Sequence, residues 1–282
     1  MPGTTSGERS QTRLTGALVA QLVRKDLRVK YQGSSLGFLW SLVNPLLQLV
    51  VYTFVFQFVM KSPIPVFGFF LLSGLLIWNF FSMSVSGAAG SVIGNAALVK
   101  KVPFPHSALP LAAIGFAGIQ VLLQFVVLLV GLVVAGMAPL RPEVLLLVPA
   151  LIVLLMLAVG LGLFAAATTV RLRDMQHLLE VGLFAWMWIT PIIYPPAFVH
   201  QVLGDQLTYA YYLNPMAGVV AAFQRALYGV VRVPQNGDLI LASDSNWFYL
   251  QVLGIGFVVS ALVLAVGMWQ FNRLSQDFAE DL

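Results

Sequence analysis

At 282 residues, 59% of them hydrophobic and only 9% charged, with a mean hydropathy of +0.90, the chain has far too little charge to solvate the surface of a water-soluble domain. Its formal charge of +4 does not point to nucleic acid, because cations set beside hydrophobic stretches are explained by membrane topology and anionic lipid. With no cysteine there is neither a disulfide framework nor a thiolate metal site.

Met1 to Thr12 carries Gly, Thr and Ser without an apolar core, so a disordered tail is expected there (1–12), neither a cleaved signal nor a span. Residues 13–30 have helical periodicity. At 100° per residue Leu14, Leu18, Leu22 and Val29 share one arc and Arg13, Arg24 and Arg28 another, the layout of a helix lying in the membrane interface, although Lys25 falls inside the apolar arc. Such a helix serves as a topology anchor or as a docking platform for a cytoplasmic partner. Arg24, Lys25, Arg28 and Lys30 form a basic collar, after which no charge occurs from Tyr31 to Met60. As a helix at about 1.5 Å per residue this stretch reaches roughly 45 Å, against about 30 Å of bilayer hydrocarbon. The collar therefore flanks a first span and places the N-terminus in the cytoplasm.

Asn44-Pro45 in mid-span frees a backbone carbonyl and predicts a kink. Lys61 to Pro65 is a short turn. Val66 to Val99 is again uncharged, with Ser82, Ser84, Ser86, Ser91 and Asn95 among Gly87, Gly90 and Gly94, and the Gly90 to Gly94 spacing is one that allows close helix packing. Lys100, Lys101, Pro103, Phe104, Pro105 and His106 form a stiff cytoplasmic elbow, because two prolines flanking a phenylalanine cannot continue a helix. Arg171 to Asp174 makes a second elbow. Spans are expected at about 36–60, 66–99, 109–137, 144–170, 178–194 and 247–271, within a transmembrane domain over 31–272 that is followed by a cytoplasmic tail, 273–282. Gln206 to Gln224 is also uncharged and nearly long enough to cross, and charge asymmetry alone slightly favours seven spans. Asn214-Pro215 splits it into short pieces, the first holding Tyr209, Tyr211 and Tyr212, so a re-entrant hairpin is preferred. The expected fold is an all-α membrane protein with six transmembrane helices, an N-terminal amphipathic interface helix and a periplasmic re-entrant hairpin before the last span.

No phosphate loop, HExxH, nucleophile elbow or acid pair at metal spacing occurs in the sequence, so no catalytic or metal residue is assigned. Nor is there a row of charges inside the spans of the kind that proton relays need. Glu180, near the start of the fifth span, reads as an interfacial carboxylate paired with Arg171 or Arg173. A carrier with neither ion-coupling groups nor its own nucleotide site needs outside energy, which points to a separate ATPase subunit.

Four ordered blocks resemble one family. LVRKDLRVKYQGSSLGFLWSLVNPLLQLVVYTFVF (Leu22 to Phe56), LVKKVPFPHSALP (Leu98 to Pro110), RLRDMQHLLEVGLFAWMWITPIIYPP (Arg171 to Pro196) and LNPMAGVVAAFQRALYG (Leu213 to Gly229) are similar to segments of ABC-2 type permeases that export O-antigen, teichoic acid and capsule. Those permeases commonly have Arg where His106 stands, which makes a charge contact there weaker or pH-dependent. The resemblance implies a bacterial inner-membrane permease with six spans, a homodimer, two copies of a cytoplasmic ATP-binding subunit that carries the ATP and Mg, no cofactor on this chain and a lipid-linked polysaccharide as substrate. Such a substrate needs cations near the cytoplasmic interface for its pyrophosphate, for which Lys25, Arg28, Lys30, Arg171 and Arg173 are candidates. It also needs aromatic faces for sugar rings, for which Tyr52, Phe56, Trp186, Trp188 and Tyr194 are candidates, although interfacial Trp and Tyr are common in any membrane protein. The elbow residues Lys100, Lys101, Pro103, Phe104, Pro105 and His106 are candidates for coupling to the ATPase. Two rival readings are an ABC-2 permease for drugs or lipids and a membrane-embedded glycosyltransferase or polymerase. The latter requires a positioned acid or base, and the periplasmic loops offer only Glu143, Asp205, Asp238 and Asp244.

Overall fold

In the computed structural model the described residues are 5–34, 37–102, 104–137, 141–234 and 237–282. The first helix, α1 (Thr5–Tyr31), takes in residues 5–12, so the stretch expected as a tail is helical from Thr5 onward; residues 1–4 lie outside the described set. After a 3-10 turn at Gly37–Leu39, α2 (Trp40–Tyr52) runs unbroken through Pro45 and passes at Thr53 into a π-helix that ends at Val59. Pro45 stands early in α2, where its missing N–H costs one intrahelical bond, and the helix continues past it; the wider turns begin only at Thr53. The turn that follows is tight: Lys61 and Val66 both have positive φ, 50° and 47°.

α3 (Phe67–Gly94) ends where Asn95 leaves helical geometry, and α4 (Ala96–Lys101) carries the two lysines of the first elbow. α5 (Ala108–Val134), a 3-10 turn (Pro142–Leu146) and α6 (Leu147–Arg171) complete the next pair. α7 (Met175–Ile189) stops at Thr190-Pro191, five residues before the end expected for the fifth span, because Thr190 is extended ahead of a proline. α8 (Pro196–Tyr211), bent at Gly204 with φ 70°, and α9 (Pro215–Leu227) follow, then α10 (Asn246–Leu274) and the short α11 (Phe278–Asp281). Among the described residues the only β pairing is a single bridge between Arg232 and Leu239.

Among the described residues five helical segments are long and apolar enough to cross a membrane: Trp40–Val59, Phe67–Gly94, Ala108–Val134, Pro142–Arg171 and Asn246–Leu274. At about 1.5 Å per residue α7 is roughly 22 Å long, shorter than the hydrocarbon layer. The bundle is organised around α3, whose most apolar window is 83% buried, against 6% for Trp40–Val59. α9 is buried along its whole length, packed against α3, α6 and α10.

α6 and α10 approach closely enough for their backbones to touch. A Cβ on Gly160 would lie 2.6 Å from the Cα of Leu264, and a Cβ on Gly267 would collide with the carbonyl oxygen of Gly160. These two glycines let backbone meet backbone. The spacing at Gly90 and Gly94 has no such role: Gly90 abuts the Gln176 side chain, and Gly94 faces open space.

Candidate functional site

The basic collar and both elbows gather at one end of the bundle, called here the collar end. α1 lies along α5, where Val23 is buried close to Gly115, and its last turn is locked by a polar cluster. Tyr31 and Ser41 hydroxyls are hydrogen-bonded to each other, and Ser41 donates to Gln120 Oε1 at 3.0 Å. The Gln120 amide in turn donates to the Tyr31 oxygen at 2.9 Å. One tyrosine thus ties the collar to α2 and α5, and buried polar groups are satisfied by one another.

Between α1, α3 and α5 lies a cavity of about 350 Å³ with Lys25, Asp26, Ser91 and Asn95 at its polar part and Gly87 and Gly90 among its small residues. Lys25 Nζ donates to Asn95 Oδ1 at 3.3 Å and is 3.7 Å from Asp26. Lys30 sits over the Phe116 ring at 5.4 Å, a cation–π contact. Arg24 and Arg28 are exposed, and among the described residues neither has an ion pair. Of the collar cations, these two guanidinium groups are the ones left facing outward.

Arg171 is placed differently from Lys25, Arg28 and Lys30. Its Nη2 and Nε donate to Asp277 and Asp281 at 2.6 and 3.0 Å, so the C-terminal segment occupies the guanidinium. Glu180 pairs with neither Arg171 nor Arg173; it lies 3.8 Å from His177, one turn away on the exposed face of α7. Arg173 is exposed. In the first elbow, Lys100 and Lys101 are exposed, Pro103 lies outside the described residues, and Pro105 is exposed beside the half-buried Phe104 and His106. His106 Nδ1 donates to the Ser275 carbonyl at 3.2 Å, and its ring contacts Phe104 and Phe278. Phe278 is fully buried against Phe271.

The five candidate aromatics do not share one surface. Phe56 and Tyr194 meet at the far end of the bundle, in a cavity of about 480 Å³ that Phe67, Phe198, Met60 and Asp238 also line. Phe56 is stacked on Phe67 at 4.3 Å. The Tyr194 hydroxyl donates to the Ile189 carbonyl at 2.9 Å and lies 3.3 Å from that of Tyr211, whose own phenol is pushed up by burial. Trp186 turns inward instead. Its Nε1 donates to Asn214 Oδ1 at 2.8 Å, its ring meets Phe81 and Trp78 edge-on, and the same Asn214 oxygen caps α9 by accepting from Met216 N. Trp188 is on the opposite, exposed face of α7 and Tyr52 is half-buried against the core.

Two features of the far end were not anticipated from the sequence. Arg225, on α9, is held by Glu143 at 3.1 Å, by Asn246 Oδ1 at 3.2 Å and by the Asp244 carbonyl at 3.2 Å, with both charged side chains largely buried. Arg232 pairs with Asp244 at 2.5 Å, which raises the guanidinium above its ordinary range. Glu143 and Asp244, considered as stray acids in the loops, are therefore each committed to an arginine. The available signal was a single Arg immediately after an uncharged stretch of nineteen residues, Gln206 to Gln224.

The model of the ABC-2 type transporter family matches residues 17–228. The chain is 36% identical over 269 residues to the O-antigen export system permease protein RfbA of Myxococcus xanthus, covering 94% of this chain and 95% of that one. It is 30% identical over 265 residues to the protein of the same description from Klebsiella pneumoniae, again covering 94% and 95%. To the polysialic acid transport protein KpsM of Escherichia coli it is 25% identical over 225 residues, 78% of this chain and 84% of that one. The match runs from within α1 to the end of α9, through a bundle of long apolar helices with a cationic end, and the chain belongs to the ABC-2 type transporter family.

Proposed function

We propose that this chain is the transmembrane subunit of an ATP-driven exporter that moves a lipid-linked polysaccharide from the cytoplasmic side across the bacterial inner membrane. The observation that carries the reading is the collar end: outward-facing Arg24 and Arg28 beside a cavity that Lys25 lines, in a chain whose relatives over almost their full length are named for O-antigen export. A pyrophosphate cannot enter hydrocarbon unpaired, and planar guanidinium groups hold two phosphate oxygens at once. The aromatic cavity at the far end, with Phe56 and Tyr194, supports an exit where sugar rings lie on immobilised faces. α1 is the interface helix, α7 the fifth of six spans and α8 with α9 the re-entrant hairpin. The exposed face of α2 and the π-helix after it, with Trp40, Leu47, Val50 and Phe54, and that of α7, with Val181, Phe184 and Trp188, are covered by lipid or by a second copy in a homodimer. Two ATP-binding subunits supply ATP and Mg, and dock at the elbows.

Deletion of this gene should abolish surface polysaccharide while its lipid-linked precursor accumulates inside the cell. A surface glycan unchanged by the deletion would end the proposal. In the same strain, Arg28→Lys keeps the charge and loses the fork, so it should restore insertion but not normal export. Unchanged export in Arg28→Lys, with Arg28→Ala mis-inserted, would reduce Arg28 to a topology anchor. A reporter fused after Leu282 should be cytoplasmic, and one inserted near Asn236 periplasmic; a seven-span chain gives the opposite result at both places.

A further inference from the structure

We infer that the C-terminal segment, Ser275 to Leu282, together with Arg171, is the positioning element that joins the first elbow to α6, so that a push on the elbow moves both. The inference rests on the reading that a separate ATP-binding subunit drives this chain through its elbows.

Three segments far apart in sequence converge there. His106, the last residue of the elbow, donates to the Ser275 carbonyl at 3.2 Å and leans on the Phe278 ring at 5.8 Å. Phe278 is fully buried, edge-on to Phe271 of α10 at 5.5 Å, so it is fixed to the bundle as well as to the elbow. Asp277 and Asp281 then flank it along one turn of α11 and hold the same guanidinium through different nitrogens. Arg171 is the last residue of α6, and α6 packs on α10, α9 and α3.

Energetics decide what such a clasp is for. Arg171 and Asp277 are each about half exposed, and exposed ion pairs add little net stability. The buried Phe278 supplies the anchoring. Two carboxylates on one fork add direction, because the guanidinium is planar and accepts partners only at set angles. The pairs therefore fix the angle of α11 against α6 rather than hold the fold together. Without them the elbow keeps its contact with Phe278 but transmits displacement to α10 alone. This use of Arg171 also removes it from the cations available to a substrate headgroup, leaving Arg173 as the exposed cation of the second elbow.

The test uses the complete transporter with its ATP-binding subunit in membranes, reading polymer exported per ATP hydrolysed. Arg171→Asp and Asp277→Arg each place like charges in the clasp, and should lower that ratio by at least about fivefold, the lower end of coupling between distant sites. Combining Arg171→Asp with Asp277→Arg and Asp281→Asn restores an attractive pair without leaving Asp281 against a like charge, and should recover part of the ratio. A ratio unchanged in the single variants overturns the inference. So does a loss of export that merely follows a loss of assembled complex, unrescued by the combined variant, since that is a purely structural role. Wild-type transporter that exports no glycan would instead defeat the proposed function, and is distinguishable because it precedes any variant.

Discussion

Gly267→Val should leave almost no folded protein, and Gly267→Ala should already lower the thermal midpoint by several degrees. A Cβ at this position meets the carbonyl oxygen of Gly160, and a Cβ at Gly160 meets the Leu264 backbone. A flexible side chain moves aside at small cost; backbone atoms of a packed helix do not. Overfilled cores lose about 1–3 kcal/mol and sometimes more, and α6 must separate from α10 along its length to make room. For a chain of this size each kcal/mol is worth roughly 2–4 °C, so alanine should cost about 5 °C or more. Gly254, on the same helix, has nothing within 4 Å of its Cβ position. Gly254→Ala should therefore be neutral or stabilising by about 0.5–1 kcal/mol, because alanine favours the helix over glycine. The pair is compared by thermal unfolding in one detergent, and equal midpoints for the two alanine variants would refute the close-contact argument.

Arg225→Ala is expected to have the second large effect, a loss of about 3–5 kcal/mol, the cost of leaving one member of a buried ion pair alone. Arg225 is only 7% exposed and its partner Glu143 side chain 20%, so solvent cannot replace the missing contact. Three acceptors lose their donor at once: Glu143 Oε1, Asn246 Oδ1 and the Asp244 carbonyl. Those acceptors come from the turn before α6 and from the approach to α10, so the C-terminal end of α9 is released from both. Arg225→Lys keeps a charge for Glu143 and gives up the simultaneous contact with Asn246; its loss should be intermediate. Replacing both members, Arg225→Met with Glu143→Met, should be far milder than Arg225→Ala, since well-packed apolar pairs often substitute for buried ions without net cost. Unfolding midpoints of the three variants give the order directly, and a double variant no better than the single one would contradict it.

Much of this architecture was legible in the sequence, for definite reasons. Uncharged stretches marked six spans, five of which are helical segments long and apolar enough to cross a membrane among the described residues, and the collar marked an end, because hydrocarbon excludes charge whatever the tertiary packing. Asn214-Pro215 announced the break between α8 and α9, since Asn caps and Pro opens a helix. Side-chain direction was less accessible. Trp186 and Trp188 look equivalent in sequence, yet two positions on a helix differ by about 200°, and packing of α7 on α3 sends Trp186 to Asn214 and leaves Trp188 exposed. Pairings across long sequence distances were invisible. Arg171 was read with its neighbour Glu180, whereas its partners lie more than a hundred residues on, at Asp277 and Asp281. The glycine spacing at Gly90 and Gly94 drew attention while the contact that matters uses Gly160 and Gly267, because a motif records one helix and a contact needs two.

The complete burial of α9 bears on how the chain is made. Thirteen residues reach only about 20 Å, too short to span hydrocarbon, and they carry an arginine that lipid would not accept without its partners. Two walls of the site that receives α9 belong to α3 and α6, synthesised earlier, but the third is α10, which leaves the ribosome afterwards. Until α10 has been translated, the site that receives α9 lacks its third wall, and Arg225 has Glu143 but neither Asn246 nor Asp244 as a partner. The packing of α9 is therefore completed only when Asn246 and Asp244 arrive at the start of α10 to receive the guanidinium. A chain stopped short of Asn246 would leave α9 without that wall, so α9 should be more open to protease there than in the full-length chain.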